Sequence, residues 1–159
     1  MTHDQSNPTI DIFLATSADR EAVCELLRGQ FAEHAWPLAE AQLSAGVAGL
    51  LDDPARGLVL LARETGQISG LALLAHTWTV EHGGPVVWLE ELYVVPGRRG
   101  AGIGTRLLER AIAEARQRGC RAIDLEVDDE HARAAHLYQR AWFRPLSRKR
   151  WTLSLAEAG

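Results

Sequence analysis

At 159 residues and 47% hydrophobic content, the chain has enough apolar material for one sizeable core and needs neither a metal nor a disulfide to hold it. A formal net charge of −4 leaves no basic footprint for nucleic acid, and no apolar run approaches the ~20 residues of a membrane span. Only Cys24 and Cys120 are present, far apart in sequence, which fits buried thiols in a reducing compartment and a cytoplasmic location. No histidine or cysteine grouping has metal-ligand spacing, so no metal is expected. Residues 1–8 are polar, without the basic start and apolar core of a secretion signal, and are expected to be flexible.

Residues 10–15 read as a first strand. Ser17, Asp19 and Glu21 then supply a helix start before Ala22, Val23, Leu26 and Leu27 at helical spacing. A second helix covers 38–51 through Leu43, Val47 and Leu50, and Asp52-Asp53-Pro54 ends it. Residues 58–63 and 68–80, joined at Thr65-Gly66, form a hairpin, and 81–85 turn into a long strand over 86–95. After a glycine-rich stretch, Ile103, Leu107, Leu108, Ala111, Ile112 and Ala115 line one face of a helix that Gly119 caps. A strand at 121–127, a helix starting at Asp128 or Asp129, and a final strand at 147–155 complete the chain. Arg144, Arg148, Lys149 and Arg150 form a basic cluster that reads as a solvated strand edge. There are no repeats or linkers, and the whole chain 1–159 is expected to form one domain.

The most informative stretch is Leu92-Tyr93-Val94-Val95-Pro96-Gly97-Arg98-Arg99-Gly100-Ala101-Gly102-Ile103-Gly104-Thr105, where an apolar strand runs through a glycine-rich turn into an amphipathic helix. Without Cβ atoms at 100, 102 and 104 the backbone can approach a ligand closely, and the unpaired N–H groups of the helix start suit a pyrophosphate. Arg98 and Arg99 add positive charge. A Walker loop is excluded because Thr105 and Arg106, not Lys-Ser/Thr, follow Gly104, and the dinucleotide fingerprint fails because the third glycine comes one residue early.

Arg99-x-x-Gly102-x-Gly104 resembles the R/Q-x-x-G-x-G/A acetyl-CoA motif of the GNAT N-acetyltransferase superfamily. Downstream, Ala134-Ala135-His136-Leu137-Tyr138-Gln139-Arg140-Ala141-Trp142-Phe143-Arg144-Pro145 is similar to that family's A-x-x-L-Y-x-x-x-G-F-x-P signature. The resemblance covers roughly residues 10 to 155. His131 stands where the family has Asn, and Trp142 where it has Gly, which is expected to change the turn after the helix. The resemblance implies an α/β GNAT fold: a central mixed sheet with about four helices in the order β-α-α-β-β-β-α-β-α-β. It also implies an acetyl-CoA-dependent N-acetyltransferase, with cofactor contacts from Leu92, Tyr93, Val94, Arg99, Gly100, Ala101, Gly102, Ile103, Gly104, Thr105 and His131. A homodimer is expected from the resemblance and from the open edge that an apolar final strand at 151–155 would leave.

Acetyl transfer to an amine needs a neutral nucleophile, support for the carbonyl oxygen and a proton for the departing thiolate. In Leu89-Glu90-Glu91-Leu92-Tyr93-Val94 the acidic pair precedes the cofactor motif, as in the L-E-D-x-x-V run of polyamine acetyltransferases. On period 2, Glu90 shares a face with Trp88, Leu92 and Val94, and Glu91 with Leu89 and Tyr93; Glu90 is the first candidate for the base, and a β-bulge would exchange the two. The bland alternative is a pair of solvated charges. Tyr138, two turns from His131 on a face with Ala134 and Ala135, is by resemblance the acid that protonates the thiolate; otherwise it is a core tyrosine with a satisfied hydroxyl. The oxyanion is expected at a backbone N–H of the strand around 92–94. Phe31, Glu33, His34, Trp36, His76 and Trp78 are candidates for a small cationic amine, with ordinary packing as the competing reading. A non-catalytic acyl-CoA-binding module, or an enzyme acting on a protein N-terminus or lysine, are the alternatives.

Overall fold

The computed structural model describes residues 9–128 and 132–155, and the chain divides into two compact units after Glu126. The first unit holds a mixed five-stranded sheet in the order β1-β2-β3-β4-β5. Its strands are β1 (Ile10–Leu14), β2 (Gly57–Glu64), β3 (Gln67–Thr79), β4 (Gly84–Val94) and β5 (Ala122–Leu125). Neighbours are antiparallel except β4 and β5, which run parallel. The helices α1 (Arg20–Glu33), α2 (Glu40–Leu51) and α3 (Ile103–Gln117) lie in this unit, and α4 (Ala132–Arg140) lies in the second.

Layering follows from residue type. On β2 a continuous apolar run, Leu58 to Ala62, is buried on both sides, as a strand covered by helices on both faces must be. Val59, Leu61, Leu71, Leu73 and Tyr93 pack with Val23, Leu26 and Leu27 of α1 and with Leu43 and Val47 of α2. The opposite face takes α3, whose Ile103 and Leu107 come so close to β3 that Gly70 has no room for a Cβ; one built there would stand 2.7 Å from the Tyr93 carbonyl and 3.2 Å from Leu107 Cδ1. The β2–β3 hairpin turns on Thr65 and Gly66, both left-handed (φ +49° and +82°), as a two-residue hairpin loop requires.

Three expectations change. Thr16, rather than Ser17, caps the first helical segment: its hydroxyl accepts the Ala18 N–H and its N–H donates to Asp19, a capping box over the single turn Ser17–Asp19 that leads into α1. The final strand at 147–155 does not form among the described residues. Trp151, Leu153 and Leu155 keep a strand's alternation yet are 90%, 82% and 88% exposed, because alternation makes a strand only where a neighbouring ladder meets its N–H and C=O groups. The turn after α4 keeps the glycine geometry despite Trp142, which sits at φ +68°. Phe143 N–H donates to the Tyr138 carbonyl and Trp142 N–H to that of Gln139, each at 3.0 Å, a Schellman closure for which a non-glycine residue costs about 1 kcal/mol.

Candidate active site

β4 and β5 pair from Val86↔Ala122 to Leu89↔Leu125 and then part, while β4 continues against β3 as far as Val94. The parting coincides with the acidic pair. Leu89 lies opposite Leu74 and Glu91 opposite Leu73, so Glu90 is an extra residue with no counterpart on β3, which is a β-bulge. Because one residue is inserted, Glu91 shares the α1 face with Tyr93 but not with Leu89, whose partner Leu74 points to the α3 face. The period-2 assignment therefore holds for Glu91 with Tyr93 and is corrected at the bulge for Leu89. Glu90 is exposed and Glu91 is half-buried.

On the α1 face, Gln30 Nε2 donates to Glu91 Oε2 at 2.5 Å. Burial pushes the Glu91 carboxyl up to about 7, with the Gln30 hydrogen bond opposing and the neighbouring Glu90 charge reinforcing the rise. One turn along the helix, Glu33 accepts the Tyr93 hydroxyl at 2.5 Å and an Arg99 N–H at 2.6 Å. The Tyr93 bond, with help from Arg99 and against burial, holds Glu33 below the usual carboxylate range, while burial and Glu33 push the Tyr93 phenol up to about 12. Arg99 also donates to the Val94 carbonyl at 2.9 Å and lies 5.5 Å from the Tyr93 ring centre. The i, i+3 pair Gln30 and Glu33 thus meets the i, i+2 pair Glu91 and Tyr93.

The glycine loop leads into α3 with Gly100 and Gly102 both at φ +83°, while Gly104 lies within the first helical turn. Gly102 is the N-cap residue and has no side chain to cap the helix; among the described residues no acceptor meets the N–H groups of Ile103, Gly104 or Thr105. A Cβ built on Gly102 would have nothing within 4 Å, so the space beside this N-cap position is open. Gly100 and Ala101 are exposed beside them. The donor set fits a pyrophosphate. The two arginines contribute less charge than their sequence position implies: Arg98 grips the buried Glu64 through Nε (2.8 Å) and Nη2, and Arg99 is committed to Glu33. Arg106, exposed on the first turn of α3, adds charge there.

The remaining candidates are dispersed. Phe31 packs against the α1–α2 core with its ring 6.0 Å from Trp36, on which His34 stacks at 4.8 Å, and Trp36 stays 48% exposed. Trp78 is not brought to this end of the sheet. It pairs with Pro85, five residues along β3 from the partner of Glu91, or about 16 Å at the strand rise. His76, at the same remote end, faces the Ala55 carbonyl through Nδ1 (3.3 Å). In the second unit Tyr138 is half-buried on α4, with its ring edge-on to Phe143 at 5.7 Å. His131 lies outside the described residues. Gln30 and Glu64 do not stand out as site residues in the sequence; the one signal for Gln30 is a polar side chain interrupting the apolar face formed by Val23, Leu26 and Leu27.

Comparison with known proteins converges on this architecture. The model of the acetyltransferase (GNAT) family matches residues 20–142. The aminoglycoside N(6')-acetyltransferase type 1 of Stenotrophomonas maltophilia is 38% identical over 137 residues, covering 82% of this chain and 84% of that protein. The aminoalkylphosphonate N-acetyltransferase of Salmonella typhimurium is 30% identical over 141 residues, 86% of each. Among solved structures, the aminoglycoside N-acetyltransferase AAC(6')-Iy in complex with CoA shares the fold with a TM-score of 0.79 at 18% identity, over 94% of this chain and 97% of that one. With its glycine loop opening α3 and its sheet parting at a bulge, the chain belongs to the GNAT family of acetyltransferases.

Proposed function

We propose that the chain moves an acetyl group from acetyl-CoA to the primary amine of a small cationic acceptor, by direct attack while both are bound. Acetyl-CoA supplies the thioester and, in its pyrophosphate, the anion suited to the N–H groups of the loop around 100–105. The observation that carries the reading is Glu91: a carboxyl pushed up to about 7, beside a bulge where the sheet opens. An alkyl ammonium with an ordinary pKa of about 10.4 must shed a proton before it can attack, and a base that titrates near neutrality is matched to that task. Glu91 is the base; Glu90, exposed next to it, attracts the cationic acceptor. The β4 backbone at Leu92, Tyr93 and Val94 supports the pantetheine arm and the carbonyl oxygen, and the Tyr138 hydroxyl protonates the thiolate. Phe31 and Trp36, at the end of α1, border the acceptor. The enzymes of similar sequence are named for amine acceptors, an aminoglycoside and an aminoalkylphosphonate, which supports the acceptor class. The free thiols Cys24 and Cys120 suit a reducing cytoplasm.

The test is thiol release from acetyl-CoA with a panel of polyamines, aminoglycosides, aminoalkylphosphonates, amino acids and lysine- or N-terminus-bearing peptides. Turnover with small cationic amines is expected. Binding of acetyl-CoA without thiol release would leave a cofactor-binding module, and turnover confined to peptides would move the acceptor to a protein. Tyr138→Phe is expected to lower kcat by about tenfold or more while calorimetry finds the acetyl-CoA affinity nearly unchanged, because only the hydroxyl proton is removed. A parent-like kcat where chemistry limits the rate would leave Tyr138 a packing residue.

A further inference from the structure

Gln30 interrupts the apolar face of α1 and is only 7% exposed, a position where a carboxamide is costly unless its groups are met. Its Nε2 is met by Glu91, but its Oε1 is buried and has no partner among the described residues. Both atoms belong to one rigid planar group. We propose that Gln30 is the positioning residue of the catalytic base: its Nε2 holds the Glu91 carboxylate before reaction, and its Oε1 takes the Glu91 O–H once the acceptor's ammonium proton has moved there. The inference rests on the reading of Glu91 as base.

The chemistry follows from what each state offers. An ionised carboxyl only accepts, so it faces the amide N–H; a protonated carboxyl carries one O–H donor and still accepts. A carboxamide is both donor and acceptor on adjacent atoms and can serve either state without leaving its place. The orphaned Oε1 has no donor among the described residues as it stands, and the O–H of a protonated Glu91 is the donor assigned to it. One proton leaves the ammonium nitrogen and one O–H bond forms on Glu91, so the pair needs no further reactant. The surrounding charges leave this role to Gln30. Glu90, next along β4, opposes ionisation of Glu91; Glu33, one turn along α1, is occupied by Tyr93 and Arg99; and among the described residues no cation is one of the groups that act on the Glu91 carboxyl. A hydrogen bond to the charged form is then what keeps Glu91 available as a base near neutral pH, and a charge-assisted bond is about twice as strong as a neutral one.

Gln30→Met and Gln30→Leu both fit an apolar helix face and remove both polar atoms. The Glu91 titration is read directly from the carboxyl carbon-13 shift in glutamate-labelled protein, its signal identified by loss in Glu91→Gln. In either variant the midpoint is expected to rise by about one pH unit, and the acid limb of kcat/KM to move with it, while KM for acetyl-CoA stays at the parent value. A midpoint within about 0.3 unit of the parent, or a rate that falls evenly at every pH, overturns the role of Gln30. If the carbon-13 midpoint rises but neither parent nor variant rate follows it, Glu91 is not the base, and the positioning role falls with it. The two failures are distinguishable because the titration needs no turnover.

Discussion

Gly102→Val is expected to raise the dissociation constant for coenzyme A by a hundredfold or more, about 2.7 kcal/mol, when measured by calorimetry. Two costs add. At φ +83° a side chain is strained whatever the space around it, by about 1–2 kcal/mol for an ordinary residue and more for a β-branched one. To escape that strain the N-cap must rotate, which turns the N–H groups of Ile103, Gly104 and Thr105 away from a common focus, and each charge-assisted bond to phosphate is worth about 1.5–3 kcal/mol. A branched side chain that stayed in place would fill the open space the pyrophosphate needs. Gly102→Ala separates the terms: it carries the backbone strain with little bulk and is expected to fall between parent and valine variant. Affinities within threefold of the parent for both would remove the loop from phosphate binding.

The loop was legible in sequence because its requirement is local: glycines where φ must be positive, followed by an apolar helical period. The same holds for Thr65-Gly66 and for the α3 face at Ile103, Leu107 and Ala111. The acidic pair was legible as chemistry but not as geometry. Which neighbours Glu90 and Glu91 share a face with depends on register against Leu73 and Leu74, a property of two strands together, and one inserted residue parts Glu91 from Leu89 while leaving it beside Tyr93. Long-range pairing likewise reassigns the loop arginines, because their carboxylates lie 34 and 66 residues away in sequence, on β2 and at the end of α1. At Trp142 residue type points to an altered turn, yet the Schellman hydrogen bonds of α4 keep the left-handed geometry and impose its strain on a tryptophan. The alternation at Trp151, Leu153 and Leu155 was a sound strand pattern, but a pattern carries no information about which ladder, if any, will meet it.

Glu91→Gln is expected to make the protein less active and more stable, with pH deciding how much of each is seen. For activity, losing a positioned base costs about a hundredfold to ten-thousandfold in kcat/KM near pH 7.5, and the deficit shrinks as pH approaches the acceptor's own value of about 10.4, where solvent supplies the neutral amine. Glu90→Gln is the control: from its exposed site it is expected to raise the acceptor's KM a few-fold with little change in kcat. For stability the sign is opposite to that of an ion-paired carboxylate. The folded carboxyl titrates at about 7 and the unfolded one at 4.5, so the folded state holds its proton longer; the fold loses stability as pH rises from about 4.5 to 7, and the loss persists above. A neutral glutamine avoids that loss. Denaturant unfolding is therefore expected to find Glu91→Gln more stable than the parent by roughly 2–3 kcal/mol at pH 8 and nearly equal to it at pH 4. Equal stability at both pH values would mean that Glu91 is not desolvated in the fold, and an unchanged pH–rate profile would take the proton transfer away from it. The expected pairing of lost turnover with gained stability distinguishes a base held against solvation from a carboxylate that merely packs, because removing a merely packing carboxylate would raise stability without touching the rate.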